Sequence, residues 1–351
     1  MAEVPEIPAG VEEITAAWMS RALGCRVETL EIEQIGIGVG VASALYRARL
    51  TGDGPASVVV KLCALAEEAA FTSIVLRMYI REVRFYQQLA ADSPIRVPQC
   101  HFGAVDEETS NFVLVLEDMG ELRVVDQTSG MSIADAERSI DALAVWHARH
   151  WREADELVEQ GTAVCLSDPV YPAILPTVFG EGWETVNAEL GVADEIAAIG
   201  PRWVDKLPTL LTSLSAQPNT VIHGDFRADN ILFDQADDVV LLDFQLTGRG
   251  SGSYDLAYFV TQSLSPDVAA ASERRLFDRW VAGLVRSGVA EADTAHLWDR
   301  YREAALFCLV YPIVAARGMD FSDPRQAELI STMNTRFARA VRDLDLADLL
   351  A

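Results

Sequence analysis

Thr220-Val221-Ile222-His223-Gly224-Asp225-Phe226-Arg227-Ala228-Asp229-Asn230-Ile231-Leu232-Phe233, followed by Val239-Val240-Leu241-Leu242-Asp243-Phe244-Gln245, is the one strand-like interlude in the helix-patterned sequence after Gly120. Its charged and amide residues fall in a loop between apolar, β-branched runs, and Gln235-Ala236-Asp237-Asp238 reads as a hairpin turn. Loops bounded by strands are where a rigid scaffold presents reactive groups. The bland alternative is a β-hairpin in which Asp and Asn only form turns. Four positions at fixed spacing argue against it: His223, then Asp225, then Asn230, then Asp243 thirteen residues further on.

Phosphoryl transfer asks for residues of this kind. It needs an acceptor for the proton of a substrate hydroxyl and oxygen ligands for the Mg²⁺ that bridges the phosphates. Asp225 suits the first role; Asn230 and Asp243 suit the second, in the order and spacing of a kinase catalytic loop and its metal-binding Asp.

Working outward, the first third of the chain alternates short β-like runs (Val27–Ile35, Ala42–Leu50, Ser57–Cys63, Gln99–Val105, Asn111–Leu116) with turns such as Thr51-Gly52-Asp53-Gly54. One helix-period segment, Ser73–Ala91, lies among them. On it Val75, Tyr79, Glu82 and Tyr86 share a stripe, and a carboxylate in an apolar stripe is costly unless paired. Lys61, ending the run Ser57-Val58-Val59-Val60, is a candidate partner; water, Arg81 or Arg84 are the alternatives. Gly36-Ile37-Gly38-Val39-Gly40 falls between two strand-like runs, where glycines let backbone N–H groups approach phosphate oxygens. After Gly120 long amphipathic patterns dominate: Ile133–Arg152, Val192–Leu214, Pro266–Ser287, Ala292–Arg317 and Pro324–Leu349.

The motifs His223-Gly224-Asp225-Phe226-Arg227-Ala228-Asp229-Asn230-Ile231-Leu232, Leu242-Asp243-Phe244-Gln245 and Tyr254-Asp255-Leu256-Ala257-Tyr258-Phe259 resemble the aminoglycoside phosphotransferase/choline-kinase-like superfamily, above all its ecdysteroid-kinase-like and hydroxyacyl-kinase-like branches. That resemblance implies an α+β, protein-kinase-like two-lobed fold. Residues 1–118 would form an ATP-binding lobe of small antiparallel sheet plus one helix, and residues 119–351 a larger, mainly helical catalytic and substrate-binding lobe. It implies Asp225 as catalytic base, Asn230 and Asp243 as Mg²⁺ ligands, and Asp255 as a brace for the catalytic loop. Gly38, Gly40, Ser43 and Lys61 become the candidates for the phosphate side of the ATP site, with Glu82 counted in that site as the partner of Lys61. The backbone C=O of Glu117 and N–H of Met119 would meet the adenine edge. The expected activity is ATP- and Mg²⁺-dependent phosphorylation of a hydroxyl on a small molecule.

The remaining features narrow the class. Asp255 follows Asp243 at a distance of only twelve positions, no Ala-Pro-Glu follows, and Gln245 replaces the glycine of Asp-Phe-Gly, so a small-molecule acceptor is favoured over a protein. A nucleotide-binding pseudokinase or regulatory scaffold without turnover is the rival; loss of Asp225, Asn230, Asp243 or Lys61 would have favoured it, and all four are present. The net charge of −25 argues against a nucleic-acid partner and permits attraction of cationic substrates. The longest apolar run, Ala304–Ala316 with Pro312 inside it, is too short for a bilayer and reads as a buried helix. Met1–Glu6 lacks the features of a signal peptide, and a cytoplasmic location without membrane partner is expected. Five scattered cysteines form no CxxC pair and read as small buried hydrophobes. Arg227 is a candidate contact for an anionic substrate group, or a structural partner of Asp229 or Asp234. His147 reads as packing behind the catalytic loop, and Trp280, Trp298, Tyr301, Phe307 and Tyr311 as core or acceptor pocket.

Overall fold

The computed structural model describes residues 5–36 and 42–350, and the chain forms two compact units. One comprises residues 1–122 with 240–247; the other comprises 123–239 with 248–351.

The first unit is built on five strands, β1 (Val27–Ile35), β2 (Ser43–Gly52), β3 (Ser57–Cys63), β4 (Cys100–Val105) and β5 (Phe112–Glu117). They form an antiparallel sheet in the order β1-β2-β3-β5-β4. Side chains alternate between the two faces with period two. Ala44, Tyr46, Ala48, Leu50, Val58, Val60, Leu62, Val113 and Val115 pack with Trp18, Met19 and Ala22 of helix α1 (Ala16–Leu23). The hydroxyl of Thr15 caps that helix by accepting from the Trp18 N–H, and Gly24 closes it at φ 66°. Val59 and Lys61 therefore point to the other face, as the alternation of the run predicts. The segment expected as one helix over 73–91 is two, α2 (Glu67–Val75) and α3 (Met78–Gln88), because Arg77 adopts a left-handed conformation (φ 54°) between them. Val75 thus leaves the predicted stripe, while Tyr79, Glu82 and Tyr86 stay buried on α3.

The second unit is mainly helical. Its elements are β6 (Arg123–Val124), α4 (Ile133–Arg149), α5 (Asp155–Glu159), β7 (Val164–Cys165), α6 (Val170–Glu189), α7 (Asp194–Ser215), β8 (Thr220–Ile222) and β9 (Ile231–Phe233). The strand β10 (Val239–Leu241) leads into 240–247, and the second unit resumes with β11 (Gly248–Gly250), α8 (Ser253–Ser263), α9 (Pro266–Arg286), α10 (Leu297–Phe307), α11 (Val310–Ala315) and α12 (Pro324–Asp343). β11 lies between β7 and β8, so β8 delivers His223–Asp225 from the end of a fixed strand. The apolar run at 304–316 is divided between α10 and α11. Among the described residues no helix is long and apolar enough to cross a membrane. All five cysteines are free thiols, and only Cys308 is fully buried.

Gly52 stands at φ 135°, and a Cβ there would come within 2.1 Å of the Arg26 carbonyl oxygen. Gly52→Ala is expected to destabilise the protein by at least roughly 1–3 kcal/mol, measured as a lowered midpoint in urea.

Candidate active site

In the first unit the chemistry gathers around one buried lysine. Lys61 is fixed in register opposite Leu45 and Leu114, and its side chain is 7% exposed. Its ammonium donates to Glu82 Oε1 at 2.6 Å and to Asp243 Oδ1 at 3.1 Å. Burial opposes the charge on Lys61, but Asp243 and Glu82 more than offset this and hold its pKa above the ordinary value. Burial likewise pushes the Glu82 carboxyl up, with Lys61 pulling against it. Breaking such a buried pair from one side costs roughly 3–5 kcal/mol, so each residue is positioned by the other.

Asp243 reaches this cluster because its segment folds onto α3. Phe244 stacks on Phe85 with centroids 3.5 Å apart and meets Tyr86 edge-on. Leu241 N–H donates to the Arg96 carbonyl at 3.0 Å. Asp243 itself sits at φ 65°, ψ 72°, a left-handed conformation unusual for a residue other than glycine. Such strain persists only where surroundings over-determine it, here the Phe244 stack and the Lys61 contact.

At the end of β5, Glu117 and Met119 line a cleft of ≈ 430 Å³ together with Arg47, Arg49, Ser57 and Gly120. Arg47 clamps Asp118 bidentately at 2.7 and 3.1 Å. The Glu117 carboxylate takes the Gln99 N–H and the Arg96 guanidinium, which pins the strand end. Ser43 opens β2, while Gly38 and Gly40 lie outside the described residues.

In the second unit the loop after β8 is held from behind by α8, a helix buried at every position. Asp255 on α8 is fully buried and accepts from three donors: His223 N–H (2.7 Å), Gly224 N–H (2.9 Å) and His147 Nε2 (3.1 Å). The indole N–H of Trp280 donates to His147 Nδ1 at 3.1 Å. Because an indole can only donate, His147 is the Nε2–H tautomer, oriented to donate to Asp255.

Asp225, 8% exposed, has one donor on each carboxylate oxygen: Arg227 Nε on Oδ1 at 3.2 Å and Asn230 Nδ2 on Oδ2 at 2.9 Å. Asn230 Nδ2 also donates to the Asp225 carbonyl at 2.9 Å. The amide nitrogen is thus spent on Asp225, and the carbonyl Oδ1 is the end turned to other duties. A hard cation such as Mg²⁺ takes oxygen ligands of this sort, so Asn230 fits the metal role assigned to it. Arg227 also binds Asp229 and the Gln127 side-chain carbonyl. Burial opposes its charge, but Asp225 and Asp229 hold its pKa above the ordinary value.

A family model described as the ecdysteroid kinase-like family matches residues 38–288, which span both units' motifs. The chain belongs to the ecdysteroid kinase-like family. This family member also resembles solved small-molecule kinases over nearly its full length. Choline kinase from Cryptosporidium parvum Iowa II aligns with a TM-score of 0.56 at 11% identity, covering 96% of this chain and 92% of that one. A protein described as an aminoglycoside phosphotransferase from Ralstonia eutropha JMP134 gives 0.53 at 14%, covering 95% and 97%. Amicoumacin kinase hAmiN, solved with AMP-PNP, Ca²⁺ and Ami, gives 0.52 at 12%, covering 88% and 87%. At such identities the likeness shows the fold, a protein-kinase-like one with an antiparallel sheet and a helical part. No curated protein matches the sequence.

In this ecdysteroid kinase-like chain the site residues expected from the sequence fall into two sets. Lys61, Glu82 and Asp243 meet in the first unit; Asp225 and Asn230 meet in the second. Glu82 pairs with Lys61 rather than with Arg81, whose guanidinium instead donates to the Leu76 and Thr247 carbonyls. Arg227 pairs with Asp225 as well as Asp229, a contact that spacing alone does not reveal. Gln127, which braces both Asp229 and Arg227, carried no signal in the sequence. Its loop is held in turn by Arg336 of α12, which donates to the Gln127, Thr128 and Gln262 carbonyls.

Asp255→Asn leaves one acceptor oxygen where two serve three donors. A loss of roughly 2–4 kcal/mol is expected, read from urea unfolding. At the end of α4, burial, with help from Arg149, lowers the His150 pKa from 6.5 to about 4. A depressed histidine adds stability above its unfolded pKa that is lost as pH falls through the window from 6.5 towards 4. His150→Gln should flatten the fall of Tm across that window; an unchanged profile would count against this contribution.

Proposed function

We propose that this chain transfers the γ-phosphoryl group of ATP, with Mg²⁺, to a hydroxyl of a small, largely uncharged molecule. The observation that carries the reading is the Asp225–Asn230 pair: a buried carboxylate fixed by one donor on each oxygen, beside an amide whose nitrogen is already spent. Asp225 accepts the proton of the acceptor hydroxyl. Lys61, kept charged by Glu82 and Asp243, neutralises phosphate oxygens. Asn230 Oδ1 and the Asp243 carboxylate are the residues that would hold Mg²⁺. Once bound, the ion would offset negative charge on the phosphates. Glu117 and Met119 offer backbone groups to the adenine edge.

The acceptor class is read from α11, which touches the loop of the second unit, and from α6 packed on it. The α11 residue Tyr311 donates to the Gly224 carbonyl at 3.1 Å, directly before Asp225. α6 packs on α11 so closely that a Cβ on Gly182 would fall 2.1 Å from the Ile313 carbonyl oxygen. Both helices open with Val-Tyr-Pro, at 170–172 and 310–312, and neither 170–180 nor 310–315 contains a charged residue. Such a surface suits the apolar body of a hydroxylated acceptor better than a polycation, which would require carboxylates there.

Transfer of labelled γ-phosphate from Mg²⁺–ATP into sterols, macrolides, aminoglycosides, choline and hydroxyacyl-CoAs tests the proposal. Labelled product is expected with neutral acceptors. Asp225→Asn should lower turnover roughly 10²- to 10⁴-fold while ATP affinity stays unchanged. Asp243→Ala should instead weaken Mg²⁺–ATP binding. ATP binding without transfer to any acceptor would favour a pseudokinase, and absence of ATP binding would overturn the reading.

A further inference from the structure

Helix α8 runs alongside the catalytic loop residue by residue. Tyr254 Oη reaches the Gly224 carbonyl at 3.4 Å, and Asp255 takes the His223 and Gly224 N–H groups. Phe259 lies against Phe226 with ring centroids 5.4 Å apart, and Ser263 Oγ accepts from the Ala228 N–H at 3.0 Å. Tyr258, one turn after Tyr254 and on the same helical stripe, is therefore delivered to the Asp225–Arg227 part of the loop. Its ring is locked by stacking on Tyr311, with centroids 3.8 Å apart and planes 8° from parallel.

The tyrosines around this point differ in what their hydroxyls do. Tyr311 donates to the Gly224 carbonyl and Tyr254 to the Tyr311 hydroxyl, so both hydroxyls have a partner. The Tyr258 hydroxyl has no hydrogen-bond partner among the described residues, although the residue is only 3% exposed. Although the ring is packed, the hydroxyl oxygen itself is not sealed from solvent, so an arriving molecule can reach it and accept its hydrogen bond. Burial, with the Asp225 charge nearby, holds the phenol well above its ordinary pKa of 10, so it remains a proton donor.

We propose that Tyr258 is a substrate-binding residue, its Oη donating a hydrogen bond to the oxygen of the very hydroxyl whose proton Asp225 accepts. This deepens the kinase reading and rests on it. An alcohol oxygen has four tetrahedral directions: its carbon, its hydrogen towards Asp225, one lone pair accepting from Tyr258, and one lone pair left for phosphorus. As the oxygen–phosphorus bond forms, the bond from the γ-phosphorus to the bridging oxygen breaks. Its electrons leave with ADP, and the acceptor proton goes to Asp225. Fixing two of the four directions aligns the attacking lone pair before reaction. The same arithmetic selects alcohols over amines. A neutral amine nitrogen has a single lone pair; donating Tyr258 to it leaves none for phosphorus.

The test compares wild type, Tyr258→Phe, Tyr254→Phe and Asp225→Asn in Mg²⁺–ATP turnover. The acceptors are water, 1,2-propanediol and its amine counterpart 1-amino-2-propanol, and any sterol or macrolide the wild type phosphorylates. Tyr258→Phe is expected to lower kcat for water and alcohols roughly tenfold, with KM for ATP and Tm unchanged because its hydroxyl holds no part of the fold. N-phosphoryl product from 1-amino-2-propanol should be absent from wild type. Tyr258→Phe turnover equal to wild type overturns the inference, as does a loss accompanied by the Tm drop seen in Tyr254→Phe. Amine phosphorylation as fast as alcohol phosphorylation also overturns it. If instead wild type turns over none of these acceptors, or Asp225→Asn matches wild type, the kinase reading fails and this inference falls with it.

Discussion

The buried carboxylate of Asp255 is the constraint on which the reactive loop depends. A charged group with no exposure is tolerable only if its hydrogen bonds are made, and Asp255 makes them with two backbone N–H groups of the loop and with His147. Because the backbone at His223 and Gly224 is committed to Asp255, Asp225 emerges from a fixed point rather than a mobile turn. Trp280 fixes the tautomer of His147, so the support extends two side chains deep and through three helices, α4, α8 and α9. Loop residues that act on substrates need this kind of backing, since an error of an ångström at a reacting atom is expensive.

The first unit solves a related problem with opposite charges. Lys61 and Glu82 are individually unfavourable in a low-dielectric interior and mutually supportive there, with the half-buried Asp243 beside them. The cluster leaves a lysine that stays charged and a carboxylate, Asp243, whose backbone is held in a left-handed conformation by the Phe244–Phe85 stack. Aromatic packing thus determines where a charged group points.

The strands of the first unit were legible because alternation and turn residues act locally. β1, β2, β3, β4 and β5 lie within a residue or two of the runs read from the sequence. Helices were less uniform. α6 escaped because Pro172, Pro176, Gly180 and Gly182 are poor local signals for a helix, and its stability comes from packing on α7 and α11. The division of α2 from α3 turns on one backbone torsion at Arg77, which composition does not encode. α10 and α11 read as one helix since an apolar run cannot show where a helix breaks when both halves are buried.

Taken alone, the sequence determined the identities and order of the chemical groups: Lys61, Glu82, Asp225, Asn230, Asp243 and Asp255. For the first five, acid–base and ligand chemistry asks for particular side chains at particular separations along the chain; Asp255 entered through the resemblance of its motif. Only the tertiary structure decided how those groups are used. It gathered Asp243 with Lys61, 182 residues away, turned the Asn230 amide nitrogen to Asp225, and spent the hydroxyls of Tyr254 and Tyr311 while sparing that of Tyr258. Hydrogen-bond partnership depends on direction and distance in space, and for residues far apart in the chain those are set by packing.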